Sequence, residues 1–228
     1  MKKNSYLVLG FLAFCLGVTG CGTEGRAKET MKDVARTEET TGEAVKVTKE
    51  IDTITSAKII VYESEEELEA EANVIVRVKK TEKEENVVEH PEKERPDIFF
   101  GYTKSMVEVE QIMKNTSGQK IDIGDEIQIL ENQFTEMDGD TKVTYHTERY
   151  KMMEAGHEYI LYLRSSQDKE GYGILGALQG KVPVSEEEDL LFPVSQITYY
   201  ENQPKAEEDP ELLRAMEEVR KKSLEKYN

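Results

Sequence analysis

In 228 residues the chain carries 47 acids against 30 bases, a net charge of −17. Binding to phosphate polymers rests on Lys and Arg neutralising charge, so nucleic acid is disfavoured as a direct partner. The two cysteines, Cys15 and Cys21, both lie near the N-terminus, so the folded region has no disulfide and its stability must come from packing.

The first element is a signal segment. Lys2 and Lys3 precede the apolar run Tyr6 to Val18, which is shorter than the roughly 20 residues a transmembrane helix needs and suits a secretory core region. It ends in V-T-G-C, residues 18–21, a sequence that resembles the lipobox of bacterial lipoproteins. The resemblance implies that residues 1–20 are removed and that Cys21 carries a diacylglyceryl group. Two acyl chains hold a protein firmly on a membrane, where one gives only reversible binding. Loss of Lys2 and Lys3 would leave 28 bases against 47 acids, or −19. Residues 21–50 hold many charges and few large apolar groups and read as a flexible tether.

Residues 51–203 read as a β domain. Ile54–Tyr62 (ITSAKIIVY) is a β-rich run. Ser64 and Glu67 then have capping-box spacing, with acids in the first turn, which predicts a short helix. In NVIVRVKK, Val74, Val76 and Val78 alternate with Ile75, Arg77 and Lys79, the period of a strand. Residues 81–97 carry Pro91, Pro96 and many charges and predict an exposed loop. Further strands are expected from Thr103 to about Lys114, over 121–134 with a turn or bulge at Gly124, and over 142–150. Asn115 to Gly118 is a turn, and Asp138-Gly139 predicts a type I′ hairpin. Tyr159 to Leu163, after a turn at Gly156, is the clearest strand, and GKVPV and ITYY (197–200) follow. Short strands at close spacing predict an all-β barrel or sandwich. Residues 204–228 predict an amphipathic helix packed on it, with Asp209 as N-cap and Pro210 at the first position.

The order of three features resembles a group of exported bacterial lipoproteins without assigned function. They are A-N-V-I-V-R-V at 72–78, M-V-E-V-E-Q-I-M at 106–113 with G-D-E-I-Q-I at 124–129, and G-H-E-Y-I-L-Y-L at 156–163 before Q-G-K-V at 179–182. The order is more distantly similar to netrin-like modules, the OB-fold barrels of tissue metalloproteinase inhibitors. The resemblance implies a small OB-like antiparallel β-barrel over residues 55–185, to which the residues themselves add one short helix and an amphipathic C-terminal helix. It transfers no inhibitory residue: those inhibitors use a disulfide-held N-terminal cysteine, whereas Cys21 would be acylated and has no partner.

No catalytic or metal constellation emerges. His90, His146 and His157 are scattered, although His146 and His157 flank neighbouring strands and could meet. Glu136, Asp138 and Asp140 surround a glycine without matching a calcium loop. Ser165-Ser166 follows a strand without a nucleophile elbow. G-Y-G-I-L-G at 171–176 has the glycine spacing of a dinucleotide-binding turn. It lacks the strand directly before and the helix directly after that such a turn requires, so Gly171, Gly173, Gly176 and Gly180 read as a strand start and bends at a barrel corner.

The sequence therefore points to a non-enzymatic lipoprotein without cofactor or metal. It would be anchored through Cys21 at the outer face of the cytoplasmic membrane, as a protein-binding or accessory module with an envelope protein as partner. The alternative is a binder of small molecules or divalent cations using the acidic loops.

Overall fold

The computed structural model describes residues 47–95, 98–166, 170–200, 205 and 209–227. The signal segment, Cys21 and most of the tether lie outside the described residues. No helix among them is long and apolar enough to cross a membrane.

The fold is mainly β. A ring of five strands, β2 (Val74–Glu89), β3 (Phe100–Asn115), β4 (Glu126–Glu131), β8 (Tyr172–Ile174) and β7 (Glu158–Ser165), runs in the order β2-β3-β4-β8-β7 and returns to β2. β9 (Lys181–Pro183) extends the same sheet on β7. The ring is barrel-like and partly open, because β4 and β8 are joined through only Ile129↔Tyr172 and Leu130↔Gly173. That pair is parallel, an exception to the expected antiparallel barrel. A second parallel pair, β1 (Lys49–Thr55) with β6 (Thr141–Thr147), belongs to a separate three-stranded sheet, β1-β6-β5, with β5 spanning Gln133–Asp138. Lys49 and Glu50, read as tether, are the first residues of β1.

Both faces of the ring wall are buried, which explains the apolar residues on each. Val74, Val76 and Val78 point into the inner core with Val107, Ile129, Leu161 and Leu163. Ile75, Ile160, Tyr162 and Val182 form an outer cluster with Leu68 of α1 (Glu65–Glu71) and Val219 of α2 (Pro210–Tyr227). The caps follow the sequence. Ser64 accepts from Glu67 N at 3.2 Å, although the returning Glu67 carboxylate takes Glu63 N rather than the cap amide. Asp209 Oδ1 accepts from the amides of Glu211 and Leu212, and Pro210 opens α2. Met216 and the leucines beside it reach the inner core, while Val219, Leu224 and Tyr227 join the outer cluster. Lys222 and Lys226 pair with Glu66 and Glu69 of α1.

Several local expectations change. The β2–β3 hairpin continues through Glu89 and Phe100, so most of the expected loop 81–97 is strand. Its outer part crosses the small sheet, where Asn86 both donates to Thr135 O and accepts from Thr135 N. One side-chain amide thus saturates part of an open edge. The hairpin at Gly139 pairs Asp138 with Thr141, so its central residues are Gly139 and Asp140. Gly139 has φ +63° and Asp140 is not among the positive-φ residues, which fits a turn with glycine first rather than type I′. Residues 197–200 form no strand, although Thr198 N donates to Asp52 O of β1. Residues 56–62 form no strand either.

Candidate functional site

Two assemblies gather chemistry. The first is an interior polar network inside the barrel wall. Glu131, last residue of β4, takes Tyr150 Oη–H and Met153 N–H on one carboxyl oxygen, each at 2.8 Å. Its other oxygen and Ser105 Oγ, both buried, make no hydrogen bond. Lys181 of β9 donates to Lys151 O and lies 4.7 Å from the centroid of the Tyr150 ring. Glu188 accepts from Tyr159 Oη at 2.7 Å and faces His157 Nδ1 at 2.9 Å. Burial dominates the electrostatics: it raises the Glu131 carboxyl and the Tyr150 phenol and lowers the Lys181 ammonium to about 8. Such displaced groups mark reactive sites when a substrate can reach them. Here Lys181 is 2% exposed and Glu131 is 0% exposed, and the network clamps residues 150–154 and 188 to the barrel. His157, at the surface, has its second nitrogen 3.8 Å from Glu154 and is held between two carboxylates.

The second assembly is a groove of about 480 Å³ beside the irregular strap 56–62. The glycine-rich stretch builds one side of it. β8 and β9 lie on the same edge of β7, but their registers differ: Leu163 faces Ile174 whereas Tyr159 faces Pro183. The surplus is taken up by a loop opposite a single residue. Leu175 N donates to Tyr162 O, Tyr162 N donates to Gly180 O, and Gly180 N closes the loop on Leu175 O, all within 3.0 Å. Glycine is required at its closing point, since a Cβ on Gly180 would lie 2.6 Å from Leu175 O and 2.8 Å from Tyr162 O. The excursion carries Gln179 to the strap, where its amide takes Tyr62 N at 2.7 Å and donates to Tyr62 O at 2.9 Å. Ala57 N, at the strap's other end, donates to Glu148 at 2.6 Å. Between these pins, Lys58, Ile59, Ile60 and Val61 make no backbone hydrogen bond among the described residues. Ile60 is 64% exposed and Val61 51%. Sequence reading missed this site because ITSAKIIVY looks like an ordinary strand; its signal was the absence of a neighbouring strand to pair with.

The other residues singled out in the sequence do not converge. His146 is buried, with Nδ1 on Tyr150 O and Nε2 on Asp52, and it stacks on Phe192; it shares no partner with His157. His90 packs near Phe99 at the β2–β3 hairpin. Asp140 of the acidic turn is engaged by Thr48 Oγ. Among the described residues no three His, Cys, Asp or Glu side chains gather as a metal site. Gly171 and Gly176 have positive φ and flank β8, and only turns follow it, so the dinucleotide spacing serves a strand and its excursion. Comparison with protein-family models, with curated proteins and with solved structures returns no match.

Proposed function

We propose that this chain is a membrane-tethered extracytoplasmic lipoprotein acting as a non-enzymatic protein-binding module of the cell envelope. The diacylglyceryl group on Cys21 holds it at the outer face of the cytoplasmic membrane, and residues 21–48 give it reach. The lipobox supports the anchor. One observation carries the binding role: two aliphatic side chains stand in solvent on a strap whose backbone, between two pins, makes no hydrogen bond among the described residues. An extended segment with unpaired N–H and C=O groups is a ready template for pairing with another chain. The perturbed acid–base groups are sealed in the core, which favours binding over chemistry.

A photo-crosslinking amino acid at position 60, compared with one at exposed Lys120, tests the reading in producing cells. The expected result is one reproducible adduct with an envelope protein from position 60 alone, lost from the membrane fraction in Cys21→Ser. Equal, diffuse labelling from both positions would sink the binding role.

A further inference from the structure

We propose that the strap groove receives an extended peptide segment, apolar and acidic, by strand addition along Lys58–Val61. The inference rests on the protein-binding reading and names the partner's chemistry. Four successive residues offer backbone donors and acceptors that no described residue uses. Their sequence, Lys-Ile-Ile-Val, is that of a strand without a ladder. The pins at Ala57 and Tyr62 fix the segment before any partner arrives, so little ordering remains to oppose association. Main-chain pairing would supply affinity and the groove would select side chains, the division of labour seen wherever a peptide adds to an open edge.

The groove's lining states which side chains. Leu130, Ile174 and Ala177 give it an apolar floor. None of the described lining residues is acidic, on a chain with 47 acids. Its two charged members are cations. Arg164 is committed to Glu71 at 2.6 Å, whereas Lys58 has no ion pair among the described residues. A carboxylate on the incoming segment therefore meets an unopposed ammonium. An amphiphile with an acyl chain would match the floor and Lys58 but would bury the strap's amides without partners, which is unfavourable. The unpaired backbone favours peptide.

The test uses the full lipidated chain in detergent and fluorescently labelled, acetylated pentapeptide amides. Asp-Val-Ile-Val-Asp should bind at least tenfold more tightly than Lys-Val-Ile-Val-Lys and slow hydrogen exchange at residues 58–61. N-methylation of its central Ile should cost at least tenfold, and Lys58→Glu should reverse the charge preference without moving the thermal midpoint. Equal binding of the N-methylated peptide, or indifference to Lys58→Glu, overturns the inference. So does decanoate occupying the groove while no peptide protects 58–61. If every peptide fails but the crosslink at position 60 persists, strand addition falls and the protein-binding reading stands; if both fail, both fall.

Discussion

β7 and the strap are built from the same kinds of residue and reach opposite ends. In EYILYL, Tyr159 through Leu163 are all 0% exposed, with β2 on one edge and β8, the glycine excursion and β9 on the other. In AKIIVY, Ile60 and Val61 face solvent and four successive residues have no backbone partner among the described residues. The excursion serves both, closing on the backbone of Tyr162 and, through Gln179, on that of Tyr62. The contrast teaches that β-forming residues supply the demand for a ladder, while topology decides whether one is met.

The largest way to break the contrast lies behind β7. Glu131→Ala strips Tyr150 Oη and Met153 N of their acceptor and leaves Lys181 without its stronger buried countercharge. Loss of one partner from a buried charged group costs about 3–5 kcal/mol, to be read from denaturant unfolding. The same network predicts a pH dependence. Lys181 falls from 10.5 to about 8 in the folded protein, so between those values the unfolded chain binds more protons and stability rises with pH. The full rise is about 3 kcal/mol, and Lys181→Met should abolish it. Phenols raised by burial, Tyr150 and Tyr159 among them, pull in the opposite sense once free tyrosine begins to ionise above about pH 9, so the rise of about 1 kcal/mol expected between pH 8 and 9 isolates the lysine. Gly180→Ala drives a Cβ against two carbonyl oxygens and should cost about 1–3 kcal/mol, with faster hydrogen exchange at Tyr62 as its signature. At the far end of the scale, Ile60→Ser should move stability by less than about 0.5 kcal/mol while weakening binding of the Asp-Val-Ile-Val-Asp peptide. A larger destabilisation would mean that Ile60 belongs to the core and the contrast is false.

Much of the barrel was legible because its signals are local. Val74, Val76 and Val78 alternate; Ser64, Asp209 and Pro210 cap helices; Gly118, Gly124 and Gly156 hold positive φ at turns. What was not legible depends on distant chain. The charged outer half of β2 looks like a loop until β3 and the small sheet lie beside it. The interior network joins Glu131, Lys181 and Glu188 from separate strands and loops, and no spacing announces it. His146 lies on β6 of the small sheet and His157 just before β7 of the ring, so they do not flank neighbouring strands and answer instead to Asp52 and Glu188. The groove was hidden twice, by a strand-like sequence without a neighbour and by glycines whose spacing imitated a phosphate turn.

The ring's order also sets a timetable for folding. β2 can pair with β3 as soon as the hairpin exists, but its other edge must wait for Leu163 to reach Val74, and the ring for Tyr172 to reach Ile129. At synthesis rates of about 5–20 residues per second, Val74 precedes its partner by roughly 4–18 s. During that interval an apolar strand edge stands open, and closure then joins segments far apart in the chain, the slow class of folding event. The two residue pairs between β4 and β8 thus form a latch whose second half, Tyr172 and Gly173, belongs to the last ring strand in the chain.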